Sequence, residues 1–223
     1  MTADGISPRE FHEADGAEDW RVLAEGACAF FRTGSFADSA SLTGAIADLD
    51  GVADHPPDTD IRRDGVTVRL ITTADDWYGP TRRDLELARR ISGVARALGL
   101  VANPSALQSL LVIPGAPNTA EIMPFWRAVL GYQPRADSPD EDLVDPHNRG
   151  PSFWFEPMDE PRPDGGGAIH LGVWVPPEQA ESRVAAALAA GGHLVRDQFA
   201  PSWWTLADAA GNEADVSTTL GRD

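Results

Sequence analysis

The sequence predicts an α+β chain of two domains. Three observations predict it: a helix–strand–helix order over roughly the first hundred residues, a composition break between Gly99 and Ser105, and a β-α-β-β-β order that occurs twice after the break. At 223 residues the chain is long enough for one large domain or two small ones, and 42% hydrophobic with 24% charged residues is the makeup of a folded protein. Eighteen basic residues, all arginine, against thirty-five acidic ones leave a net charge of −17. Such a surface repels phosphate backbones and anionic headgroups, so neither nucleic acid nor a membrane is an expected partner. The lack of lysine removes Schiff-base chemistry. Cys28 is the only cysteine, which excludes an internal disulfide and a C-x-x-C site. The stretch MTADGISPREFHEADG has neither the basic nor the apolar region of a secretion signal, and no apolar run reaches the length of a membrane span. A cytoplasmic protein is expected.

Residues 1–102 are expected to form the first domain. Trp20 to Phe31 reads as a helix or a strand entry; SASLTGAIADLDGVAD then places Leu42, Ile46, Leu49 and Val52 on one helical face, and VTVRLIT alternates as a strand. Asp84 opens a second helix, as its N-cap or a first-turn acid, and DLELARRISGVARALGL ends at Gly99. Two helices on a small antiparallel sheet is the architecture this order predicts.

Residues 103–223 are expected to form the second domain, opened by the Asn-Pro of LVANPSALQ. ALQSLLVI reads as a strand, AEIMPFWRAVL as a helix stopped by Gly131, and short strands are expected at Tyr132, at Leu143 and in SFWFEPM. The order then repeats with a period of about sixty residues. AIHLGVWV is a strand, Pro176 and Pro177 start the helix EQAESRVAAALAAGG, and HLVRDQFA, SWWTLAD and NEADVST follow as strands. Each βαβββ module leaves one sheet face uncovered, so the pair should curl around a shared cleft. Strand parity puts His170 with Gly172 and Trp174, and Asp215 with Glu213 and Ser217, on the more polar face in each case. Trp154 and Trp174 share parity with Glu156 and His170; they either line the cleft, where they could stack a planar ligand, or fill the core. His147, in DPHNRG, and His193, at a strand start, are given no role.

FWRAVLGY, IHLGVWV, AGGHLV and WWTLADAAGNEADV resemble the vicinal oxygen chelate superfamily of glyoxalases, bleomycin-resistance proteins, extradiol dioxygenases and fosfomycin-resistance enzymes. The resemblance implies a divalent metal in the cleft, with its ligands on Gln108, Glu156, His170 and Asp215. An imidazole, an amide oxygen and two carboxylates would suit Zn, Ni, Mn or Fe, with Glu156 or Asp215 shuttling a proton as the ion polarises substrate oxygens. Within the same superfamily the ligand set is often lost, and the cleft then holds an organic ligand without metal. The resemblance also implies a homodimer.

FFRTGSFADSASLTGAIADLDGVADHP, VTVRLITT and TRRDLELARRI resemble pterin-4a-carbinolamine dehydratase. That family shows a His-His-Pro triplet, an aromatic soon after it, and a later histidine at the end of the strand. The triplet here reads His55-Pro56-Pro57, the aromatic position falls on Arg63, and the later histidine on Thr73 or Ala74. Removing water from a carbinolamine takes a base for the N–H proton and an acid for the leaving hydroxyl, and one histidine cannot easily be both. ADDWYGPT also replaces the family's shorter Gly-Gly-Leu-Thr turn. The expectation is a degenerate dehydratase domain in which His55 alone of the catalytic histidines survives.

Three functions follow: a lyase, isomerase or dioxygenase acting on a small molecule, aromatic or not, in the second-half cleft; a 4a-hydroxytetrahydrobiopterin dehydratase; or a non-enzymatic protein that sequesters or senses a ligand.

Overall fold

The structure, a computed structural model, describes residues 4–24, 26–74, 77–158, 169–207 and 213–222. The chain divides into two compact units, one running through Leu107 and the other spanning Gln108–Gly221. No helix among the described residues is long and apolar enough to cross a membrane.

The first unit opens with a short helix, α1 (Pro8–His12), for which Ser7 and Glu10 form a capping box and Pro8 supplies a pre-set φ. Strands β1 (Arg21–Leu23), β2 (Gly26–Arg32), β3 (Asp58–Ile61) and β4 (Gly65–Leu70) pair antiparallel in the order β1-β2-β4-β3. Helix α2 (Phe36–Ala47) runs between β2 and β3, capped by Ser35. A separate hairpin of β5 (Thr72–Ala74) and β6 (Trp77–Gly79) leads into α3 (Arg82–Ala97), and β7 (Val101–Ala102) returns to pair with β2. Leu42 and Ile46 of α2 and Leu87, Ile91 and Ala95 of α3 are buried with Val66, Val68 and Leu70 of β4. Trp20 is fully buried among them and its Nε1–H donates to Ser92 Oγ at 3.0 Å. This is the helix-on-antiparallel-sheet arrangement that the periodicity predicts, with α1 and the β5–β6 hairpin added.

The second unit contains both modules. The first is β8 (Ser109–Ala116), α4 (Thr119–Leu130), β9 (Gln133–Arg135), β10 (Ser138–Val144), β11 (Ser152–Trp154) and β12 (Glu156–Pro157). The second is β13 (Ile169–Trp174), α5 (Pro177–Ala189), β14 (His193–Arg196), β15 (Trp203–Ala207) and β16 (Glu213–Ser217). They share one sheet, ordered β14-β15-β16-β13-β8-β11-β10-β9, with β12 also against β8. At its centre β8 and β13 run antiparallel, while β11 is parallel to β8 and β16 parallel to β13. Both helices cover the same face. Met123 of α4 packs with Leu143, Phe153 and Phe155, and Ala180 of α5 packs with Val175, Leu206 and Val216.

Two local features differ from the sequence reading. SFWFEPM does not continue as one strand, because the Phe155 N–H donates to the Glu141 carbonyl while the Met158 N–H donates to the Ala116 carbonyl, so the ladder divides into β11 and β12. Leu107 and Gln108 lie before β8, since a tight turn over Pro104–Ala106 occupies the start of that segment.

Candidate functional site

Residues directly opposite each other in a sheet project to the same face. Opposite Gly172 stands Asp215 on one side and Leu111 on the other; opposite His170 stands Ile113; and Thr205 faces Asp215 from β15. Trp174 pairs with Ser109 and Ser217, and Trp203 also pairs with Ser217. These residues alternate with Val112, Val173, Val216 and Leu206, which pack toward the helices. His170, Asp215, Thr205, Trp174 and Trp203 therefore share the face opposite α4 and α5, which carries no helix among the described residues.

At its centre, His170 Nε2 lies 3.2 Å from Asp215 Oδ2, and Thr205 Oγ1 donates to Asp215 Oδ1 at 2.6 Å. Gly172 makes the first contact possible. His170 and Asp215 are diagonal neighbours, and the residue directly opposite Asp215 has no side chain to stand between them. Burial lowers the pKa of His170, but the Asp215 hydrogen bond and the charges of Asp215, Glu156 and Glu213 outweigh it and hold the imidazole above its ordinary value. No described residue engages the other ring nitrogen, Nδ1. With Nε2–H tied to Asp215, protonated His170 presents Nδ1–H as a donor.

The other sequence-predicted residues are dispersed. Glu156 is opposite Gly115, on the same face as His170 but two strands away across β8, and it acts on His170 through its charge. Gln108 is exposed, and its Oε1 accepts from Arg183 of α5 at 2.8 Å, so it belongs to the helix side. The one-residue slip matters because the residues of β8 on the His170 face are Ser109, Leu111, Ile113 and Gly115. Trp154 falls beside Ile113 and Trp174 beside Ser109, about 13 Å apart along the strand direction, so no single ring stacks on both. Sequence reasoning gave no role to Trp203 or Thr205. Trp203 stands two strands from Trp174 across Ser217, and Phe199 stacks on it with ring centroids 4.2 Å apart. The signal was available in the alternation of SWWTLAD, where Trp203 and Thr205 share parity.

A divalent metal does not fit this donor set. His170 and Asp215 are spent on each other, Gln108 is turned to Arg183, and an aliphatic side chain occupies the first-strand position opposite His170. No group of three or more His, Cys, Asp or Glu among the described residues is placed to hold an ion.

In the first unit, His55 Nε2 lies 2.6 Å from Asp84 Oδ1. Asp84 is fully buried in the first turn of α3, where its Oδ2 accepts from the Thr81 backbone N–H (2.8 Å), Thr81 Oγ1 (2.7 Å) and Thr72 Oγ1 (2.8 Å). It completes the capping box with Thr81 and also orients His55. The two positions that should carry the other histidines hold exposed Pro56 and either exposed Thr73 or half-buried Ala74, and Arg63 is exposed. Trp77 folds back onto Gly5, its Nε1–H donating to the Gly79 carbonyl at 3.1 Å.

Comparison with known proteins gives two family matches. Residues 5–94 match pterin 4 alpha carbinolamine dehydratase, and residues 111–217 match a glyoxalase-like domain. Among solved structures, an NAD-dependent benzaldehyde dehydrogenase from Legionella pneumophila aligns with 17% identity over 49% of this chain and 97% of its own, with a TM-score of 0.37. A glyoxalase/bleomycin resistance protein/dioxygenase superfamily member from Vibrio splendidus 12B01 aligns with 17% identity over 50% of this chain and 99% of its own, with a TM-score of 0.34. No curated protein matches.

Proposed function

The chain joins a pterin-carbinolamine-dehydratase-like domain to a glyoxalase-like domain, and from that premise we propose that the glyoxalase-like half binds, and acts on, a small planar molecule bearing a carboxylate or carbonyl oxygen. The observation that carries the reading is the Thr205–Asp215–His170 chain on the helix-free face, which fixes the imidazole and leaves Nδ1 for a ligand. A ligand oxygen about 3 Å from Nδ1 would receive a charge-assisted hydrogen bond, and if negative charge grows on that oxygen the same group can give up its proton. Trp174 and Trp203 flank Ser217 on this same face and support the reading by offering aromatic surface there.

The test is a titration of the full chain with 2-naphthoate, followed by tryptophan fluorescence. Saturable quenching is expected, weakened roughly tenfold in His170→Gln by loss of the charged donor. Quenching that is equally strong in His170→Gln and in Trp203→Leu refutes the assignment.

The first domain supports a second reading less well. His55 is held as a base or acid needs to be held, but no second imidazole faces it, so this half is read as a dehydratase-like domain without the pair of proton-transfer groups that the reaction requires. Turnover of 4a-hydroxytetrahydropterin comparable to that of a three-histidine dehydratase would overturn that reading.

A further inference from the structure

The second unit carries a groove of about 770 Å³ that lies apart from the His170 face. One wall is the α4 face formed by Ala120, Pro124, Arg127 and Ala128; the other is Pro139 and Asp140 of β10, and Leu143 lies at the base, fully buried. The spacing explains the shape. Ala120, Pro124 and Ala128 recur every four residues, so one side of the helix is lined with short side chains and leaves room beside the sheet. The volume falls within the range of small-molecule sites, and the lining has the required mixture of apolar surface and a few polar groups.

Three polar groups determine what the groove can hold. The Arg127 guanidinium has no hydrogen-bond or ion-pair partner among the described residues, nor does the Asp140 carboxylate. The Ala120 carbonyl lacks its helical donor, because the residue four positions later is Pro124, which has no N–H. Ala120 and Arg127 are seven residues apart, or about 10 Å along the helix axis. Cationic donors thus lie at one end and a carbonyl without its i+4 helical donor at the other, with apolar surface between. A peptide strand is a poor occupant: β9 is the outer strand of the sheet, and Pro134 in it offers no N–H for pairing.

We propose that this groove binds an amphipathic monocarboxylate whose carboxylate meets Arg127, whose apolar body lies over Leu143, and whose far end gives a hydrogen bond to the Ala120 carbonyl. Asp140 disfavours a second negative charge on the ligand. The site is separate from the His170 face, so either can be occupied without the other.

The experiment is calorimetric titration of the full chain with 10-hydroxydecanoate and with decanoate, with backbone amide NMR to locate binding. The expected result is saturable binding that shifts the Gly131 amide and leaves the Gly172 amide in place. Arg127→Gln, at an exposed position, weakens it roughly tenfold. Ala128→Trp fills the groove and abolishes it, and Pro124→Ala, which returns the missing N–H to Ala120, erases the preference for the hydroxylated probe over decanoate. Absence of binding, shifts at Gly172 instead of Gly131, or binding unchanged in Arg127→Gln would overturn the proposal.

Discussion

Asp84→Ala is expected to cost the first unit about 1–5 kcal/mol, from a buried donor left without its partner and a helix N-terminus left without its acid. The figure can be built from the four donors around it. The Thr81 backbone N–H, 2.8 Å from Oδ2 and buried, would lose its partner outright, at about 1–3 kcal/mol. The hydroxyls of Thr72 and Thr81 lie 3.2 Å apart and can bond to each other, so they add little. His55, with 15% of its side chain exposed, can turn to water, but the α3 N-terminus would lose its acid, at about 0.3–1 kcal/mol at a surface and up to about 2 when partly buried. Native-state hydrogen exchange reads the two units separately. Amides in the β2–β4 ladder should lose protection by the stated amount, while those between β8 and β13 keep theirs. A loss below about 1 kcal/mol would show that Asp84 is an ordinary capping residue and that its burial among four donors has been overvalued.

Three further outcomes are expected. Because His170 has a folded-state pKa above its unfolded value, its contribution to stability is fully present below about pH 6.5 and is lost as pH rises through the folded value. Urea midpoints of the second unit should fall across that interval, and Asp215→Asn should remove the fall; a midpoint that rises with pH in the wild type would contradict the sign. Gly65→Ala should destabilise the first unit by about 1–3 kcal/mol, since a Cβ there would lie 2.5 Å from both the Phe30 ring and the Phe31 carbonyl oxygen; an unchanged urea midpoint would show that the backbone yields. Exposure to Zn, Ni, Mn or Fe followed by desalting and elemental analysis should leave no ion that His170→Ala releases, and one ion per chain lost in that variant would show that the donors rearrange to converge.

Much of the fold follows from periodicity. The apolar face of α2 and the alternation of β4 are visible residue by residue, and so is the repeated order of strands and helix; that β8 and β13 meet at the centre of one sheet is seen only in the structure. Parity also placed His170 with Trp174 and Asp215 with Ser217, because alternation survives without knowledge of partners. Pairing across the chain is different in kind. Nothing local to His55 points to Asp84, twenty-nine positions away, and nothing local to Asp215 points to Thr205. Gln108 illustrates the sensitivity of strand readings: the turn at Pro104–Ala106 puts the start of β8 at Ser109, three residues after Ala106, and Gln108 is one residue out of step with Ser109, Leu111 and Ile113 on the His170 face. Trp203 shares parity with Thr205, but the Trp203–Trp204 doublet presents one large apolar ring to each face, so parity alone does not say which of the two faces the site. The α1 capping box was written plainly in Ser7, Pro8 and Glu10 but is too short to register as a hydrophobic period.

The most direct test of the central claim, that the helix-free face of the second unit is a binding site built on His170, is to follow the His170 ring resonances by NMR against pH, with and without saturating 2-naphthoate. The account predicts a midpoint above the ordinary imidazole value in the free protein and a further rise on binding, because a ligand carboxylate at Nδ1 favours the charged ring. A midpoint that does not move when the ligand is bound would place the ligand elsewhere and leave the Thr205–Asp215–His170 chain a structural feature of the sheet.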